Sequence, residues 1–225
     1  MPAKNTIKSY VEKGYYHLYN RGVEKRIIFL DSQDYGVFLS YLKDYLLPKD
    51  EEGFRKRLDD PSTSYKEKDK IIKLLRLNNF AEEIILIAYC LMPNHFHLLV
   101  KQGSAFSIDS FIQSLCTRYT MYFNRKYKRV GSLFQSVYKA VLVTSEEQFL
   151  HLTRYIHKQA LASQGETLQR QPSSYPEYIN KRSTQWIHTE EVLTNFSKTN
   201  PTLSYKSFVE QKEDLNLISK LILED

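Results

Sequence analysis

The sequence predicts an α+β fold: a ferredoxin-like split β-α-β antiparallel sheet with helices on one face, followed by a C-terminal helical appendage. Three observations carry this prediction. Period-two and helical patterns alternate along the chain in the order β-α-β-β-α-β, with a further helix behind them. The two middle strands are joined by Met92-Pro93-Asn94, a turn that suits an antiparallel pair. No repeat or low-complexity tract interrupts the order.

Each element has its own signal. Residues 15–19 are aromatic and β-prone and break at Asn20-Arg21-Gly22, giving a first strand. Asp31 or Ser32 then caps a helix in which Tyr35, Phe38, Leu39, Leu42 and Tyr45 recur at helical spacing. Charges of both signs dominate residues 48–70, where Phe54 and Leu58 are the large aliphatic or phenyl residues. Such a stretch builds no core of its own, so about 48–79 reads as a charged, partly helical insertion. Residues 84–90 are nearly continuously apolar, as in a strand buried on both faces. The next strand, 95–101, alternates, with Phe96, Leu98 and Val100 on one face and His95, His97, Leu99 and Lys101 on the other. Ile108, Phe111, Ile112, Leu115, Tyr119 and Tyr122 mark a long helix ending near Lys128, before Gly131. A strand is expected over 134–143. Ser145 and Gln148 have capping-box spacing and open a helix to about Ala162. The expected division is one domain over 1–165 and an extension over 166–225.

Composition narrows the function classes. The chain has 225 residues with 42% hydrophobic content, enough for a sizeable core. A net charge of +6 favours an anionic partner, with nucleic acid ahead of a membrane surface. Cys90 and Cys116 lie in apolar stretches and are too few for a disulfide framework, which points to a reducing, cytoplasmic compartment. The polar, basic N-terminus lacks an apolar export segment, and the longest apolar run is about half a membrane span, so no membrane partner is expected.

Two histidines at i and i+2 on a strand share a face, so His95 and His97 can present two imidazoles to one divalent ion. Two half-buried strand histidines satisfied by neighbours would show the same spacing. His151, Tyr155 and Gln159 form one stripe on the helix behind Ser145, beside the apolar face of Phe149, Leu152, Ile156 and Ala160. Tyr155 could simply reach water from the edge of that core. Alternatively, Gln159 could lend an oxygen to the same ion while Tyr155 meets a phosphate held by it. Arg118, Arg125, Lys126, Lys128, Arg129 and Lys139 are interleaved with aromatics and with no acid between them. The mixture suits a groove that tracks a nucleic-acid backbone, and equally a solvated helix end over core aromatics.

Tyr16-His17-Leu18-Tyr19-Asn20-Arg21-Gly22, the run Tyr89-Cys90-Leu91-Met92-Pro93-Asn94-His95-Phe96-His97-Leu98-Leu99-Val100, Gly131-Ser132-Leu133-Phe134-Gln135 and Arg154-Tyr155-Ile156-His157 closely resemble the REP-associated tyrosine transposases. These belong with the insertion-sequence-type transposases that use a His-hydrophobic-His (HUH) pair and one nucleophilic tyrosine. The likeness runs from about residue 15 to beyond Ala162, and Ser173-Ser174-Tyr175 with Trp186 resembles the family's C-terminal extension. By this resemblance His95, His97 and Gln159 would be metal ligands for Mg2+ or Mn2+, and Tyr155 the nucleophile. The implied reaction is cleavage and rejoining of single-stranded DNA through a 5′-phosphotyrosine, at hairpins formed by short palindromes. REP-associated members more often carry Asn-Pro where this chain has Gln159-Ala160, whereas related insertion-sequence enzymes use Gln. The resemblance leaves open a homodimer, and whether Tyr155 serves its own chain's metal or a partner's. The rival from another class is a non-catalytic module of RNA-recognition type that binds single strands; a regulatory relic of a transposase is a second rival.

Overall fold

The computed structural model describes residues 10–162, 171–211 and 215–222. The expected boundary at 165/166 and the first nine residues lie outside the described residues. Four strands form one antiparallel sheet: β1 (Tyr15–Arg21), β2 (Ile84–Met92), β3 (His95–Gln102) and β4 (Lys139–Val143), in the spatial order β2-β3-β1-β4. With α1 (Ser32–Leu46) after β1 and α4 (Ser107–Lys126) after β3, this is the predicted split β-α-β arrangement.

Phase along β1 and β3 divides the residues between two faces. Tyr16 and Leu18 of β1 lie opposite Val100 and Leu98 of β3, and with Phe96 they pack on Phe38, Leu42 and Tyr45 of α1 and Phe111, Leu115 and Tyr119 of α4. Full burial of each of these side chains is worth roughly 1.5–3 kcal/mol. The one-sided packing expected of the helices holds for α1 and α4. The other face is covered by α5 (Glu146–Ala162) and by the C-terminal pieces, with Ala88, Cys90 and Leu99 under Leu152, Tyr155 and Ile156.

Local chemistry fixes the ends that matter for the site. Asp31 caps α1 by accepting from Asp34 N at 3.0 Å. Ser145 Oγ accepts from Gln148 N at 3.1 Å, so half of the capping box forms; Gln148 Oε1 reaches past the cap to accept from Thr144 N at 3.0 Å. The turn between β2 and β3 is clamped by the segment leaving β1: Gly22 N donates to Asn94 O at 2.8 Å and Ile28 N to Pro93 O at 2.8 Å. Gly22 is required there, since a Cβ would fall 2.3 Å from Arg26 O.

The strand expected over 134–143 is shorter than its pattern. Only Lys139–Val143 pairs with β1, and Phe134 makes an isolated bridge to Gly22. Between them Tyr138 turns inward to donate to Asp109, beside Tyr10, which removes the segment from the ladder. The charged insertion is two helices, α2 (Glu51–Asp59) and α3 (Tyr65–Arg76), which pack on each other and bury Ile71.

After residue 170 the chain returns along the free edge of β2. Leu91 N donates to Pro172 O at 2.9 Å, Ser174 N to Tyr89 O at 3.0 Å and His188 N to Leu86 O at 2.9 Å, so an edge that could template aggregation is covered. Short helices α6 (Tyr175–Tyr178), α7 (Glu190–Leu193) and α8 (Tyr205–Glu210) follow and bury Tyr178, Val192 and Tyr205 in the α5 face. Among the described residues no helix is long and apolar enough to cross a membrane.

Candidate active site

The register puts a band of polar side chains across one end of the α5 face. His97 lies between Tyr19 of β1 and Cys90 of β2, and His95 between Arg21 and Met92. Lys139 is the neighbour of Tyr19 on β4, so it lies on this face too. The two β3 imidazoles stand perpendicular, with ring centroids 4.8 Å apart. Asn94, held by the clamped turn, accepts from His95 Nδ1–H at 2.6 Å, which leaves Nε2 as the lone-pair nitrogen of that ring.

His97 is fully buried, and its Nε2 has no hydrogen-bond partner among the described residues. Burial, and then the adjacent His17, His95 and Arg21, hold its pKa well below the usual histidine range. It is therefore neutral, as a metal-ligating imidazole must be. Burial likewise lowers His17, to about 4. Tyr155 packs edge-on against His97 with centroids 5.6 Å apart and an interplanar angle of 84°. Gln159 follows one helical turn later and is half-buried. The helix that sequence reasoning needed against the histidine strand is thus there, and Tyr155 meets His97 of its own chain.

The residues present fit a divalent ion: two imidazoles, of which His97 is neutral and has an orphaned buried nitrogen, and an amide side chain on the helix that carries the tyrosine. Among the described residues no group of three His, Cys, Asp or Glu side chains is placed to hold a metal. His151, at the other end of the stripe, accepts from Arg154 Nη2 at 2.7 Å and meets the edge of Phe208 in α8. It belongs to the contact with the C-terminal extension.

The six basic residues differ in how far the protein itself engages them. Arg118 pairs with Asp44 at 2.8 Å and lies 3.7 Å over the Tyr41 ring. Lys126 bridges Asp31 at 2.7 Å and Asp34 at 2.8 Å. Arg129 donates to Asn124 Oδ1 at 2.8 Å. Arg125, Lys128 and Lys139 are exposed. Sequence reading missed His17, Tyr19 and Arg21 as parts of the site, although their alternation on a strand ending at the histidine turn was the available signal. Tyr19 lies 6.1 Å from His97, ring to ring, closer to the site than any tyrosine of the basic segment is shown to be.

The split β-α-β sheet thus carries His95 and His97 on a central strand, with the Tyr155-bearing helix α5 across it. Residues 62–159 match the family model described as "Transposase IS200 like", and His95, His97, Tyr155 and Gln159 all fall inside the match. No curated protein matches the chain. Among solved structures, a REP-associated tyrosine transposase bound to a REP hairpin is 10% identical, with a TM-score of 0.49 over 82% of this chain and 97% of that one. A protein of Deinococcus radiodurans R1, assigned as a transposase, is 19% identical, with a TM-score of 0.28 over 69% of this chain and 97% of that one.

Proposed function

We propose that this chain is a DNA transposase that cleaves and rejoins single-stranded DNA, with Tyr155 as nucleophile and His95, His97 and Gln159 as ligands of Mg2+ or Mn2+. The observation that carries the reading is the contact of the Tyr155 ring with His97. It joins the only tyrosine that lies four residues before a ligand-type side chain on α5 to the one site imidazole whose nitrogen is buried without a partner. The match to IS200-like transposases supports the transposase role.

In this reading Tyr155 Oη attacks the scissile phosphorus, the bond from phosphorus to the 3′ oxygen breaks, and a 5′-phosphotyrosine and a 3′-hydroxyl result. The proton lost by Tyr155 balances the one gained by the 3′ oxygen, and the phosphodiester energy is kept for rejoining with a second 3′-hydroxyl. A bound divalent ion would polarise the phosphate and offset its developing charge. His97 packs against the attacking ring, and Asn94 holds His95. Tyr155 acts in this reading within its own chain. The target is single-stranded or hairpin DNA, reached through Arg125, Lys128 and Lys139, and the free Cys90 and Cys116 suit a reducing, cytoplasmic setting.

Incubation with hairpin-bearing single-stranded DNA and Mn2+ tests this directly. A protein–DNA adduct whose mapped peptide carries the nucleotide on Tyr155 is the expected result. DNA affinity without any adduct would favour a binding module, and an adduct on Tyr19 would reassign the nucleophile.

A further inference from the structure

His17 is fully buried in the middle of β1, and neither ring nitrogen faces water. Its Nδ1 lies 2.5 Å from the carbonyl oxygen of Leu221, and its Nε2 lies 2.9 Å from Nδ1 of His97. The two rings are nearly parallel, at 20°, with centroids 5.1 Å apart. A carbonyl oxygen can only accept, so the proton on His17 must sit on Nδ1. A neutral imidazole carries one N–H, which makes His17 Nε2 an acceptor. His97 must then place its own proton on Nδ1, and its lone pair falls on Nε2, the buried atom without a partner.

We propose that His17 is a positioning residue that fixes His97 in the Nδ1–H tautomer, so that Nε2 is bared for the divalent ion. This rests on the metal reading above for its purpose, but the tautomer itself does not depend on a bound ion. The chain runs from the Leu221 carbonyl through His17 to His97, and each link is set by the one before it. Ligating histidines commonly donate their second N–H to a carbonyl or carboxylate, and here an imidazole from the neighbouring strand takes that place. His95 reaches the same tautomer by another route, through Asn94.

The test begins with the metal-free protein labelled with 15N-histidine, in which long-range 1H–15N spectra report each ring's tautomer. The wild type should show His97 protonated on Nδ1. In His17→Phe the acceptor is lost while a ring remains, so His97 should shift to a tautomer mixture or to the Nε2–H form. Mn2+ affinity, read from the paramagnetic resonance of the free ion, should fall about 10- to 100-fold. In His17→Gln the amide oxygen can take the place of Nε2, so the Nδ1–H form should return and Mn2+ affinity should come back to within a few-fold of wild type. A merely structural role would not give that rescue. If His17→Phe fails to fold, His17→Gln with the wild-type spectrum still decides the matter. An Nε2–H form of His97 in the wild type, or unchanged tautomer and Mn2+ affinity in His17→Phe, overturns the proposal. An Nδ1–H form in a wild type that binds no Mn2+ overturns the metal reading instead.

Discussion

The face of the sheet under α1 and α4 presents Tyr16, Leu18, Phe96, Leu98 and Val100, while the next residues along the same strands present His17, Tyr19, His95 and His97 to the face under α5. On the first face, aromatic rings pack on one another; Phe38 and Tyr119 meet edge to face at 5.1 Å and Phe29 and Phe38 at 5.4 Å. Its buried charge, Asp34, is neutralised by Lys126 and further bound by Tyr122, Tyr127 and Leu30 N. On the second face the buried imidazoles His17 and His157 make hydrogen bonds without a carboxylate: His17 meets Leu221 O and His97, and His157 meets Tyr205 and Ser174. One face therefore holds the fold by area and a closed ion pair. The other keeps neutral nitrogens in low dielectric, where unpaired lone pairs are costly unless a ligand uses them. The difference separates stability from chemistry by a single residue of strand phase.

The largest expected effect breaks the second face and spares the first. Tyr155→Phe should abolish the covalent adduct while leaving the thermal midpoint and DNA affinity close to wild type, because the ring that packs on His97 remains. His97→Ala should also abolish cleavage and should remove Mn2+ binding. Adduct formation by either variant at the wild-type rate would refute their roles.

The converse substitution is Asp34→Ala. Burial raises the Asp34 carboxyl, but hydrogen bonds from Lys126 and Tyr127 outweigh it and hold the pKa low. Removing the carboxylate takes from Lys126 one of its two acid partners, which leaves it Asp31, and takes from Tyr122, Tyr127 and Leu30 N an acceptor, at a cost of about 1–3 kcal/mol. Urea denaturation should show that loss. The fraction still folded should form adduct normally, since no contact of Asp34 reaches the α5 face.

Acid should weaken the second face first. Burial pushes His157 down to about 3, whereas an unfolded histidine titrates near 6.5. Between those values the unfolded chain binds more protons, so stability is full above about 6.5 and declines as pH falls toward the folded value. From pH 7 to 5 the loss from this residue is about 2 kcal/mol. His157→Gln should flatten the pH dependence of the urea midpoint, and an equal slope in both proteins would show that His157 does not carry it.

What the sequence disclosed and what it hid follow the same physics. Strand phase is local, so the alternation of 95–101 placed both histidines on one face, and helical spacing placed Tyr155 one turn from Gln159. The contact of His17 with Leu221 spans 204 residues and involves a backbone carbonyl, which leaves no trace in composition or spacing. The strand over 134–138 was misread because its β-prone pattern was overruled by the attraction of Tyr138 to Asp109, a tertiary effect. The basic stretch suited both a groove and a solvated helix end, because sequence nearness does not fix which acids lie beside each cation in space. Helix α4 carries Arg118 and Lys126 on the side of the sheet away from the histidines, where acids of α1 and its cap take them up.

That division sets the smallest prediction. A cation already paired within the protein releases fewer counterions on binding DNA, so Arg118 and Lys126 should add little to the salt dependence, and Arg129 is engaged by Asn124. With the three exposed residues Arg125, Lys128 and Lys139 contacting phosphates of a single strand, affinity should fall about 20-fold between 50 and 200 mM salt, against several hundred-fold for six contacts. Replacing all three by Ala should flatten the slope, whereas Arg118→Ala with Lys126→Ala should alter stability more than the slope. Lys139 is the informative member, since it alone of the six sits beside Tyr19 on the histidine face. Lys139→Ala should lower adduct yield at low DNA concentration in proportion to lost affinity. A six-contact slope in the wild type would mean that the ion pairs on the α1 and α4 face open when DNA binds, and the two faces would then not be independent.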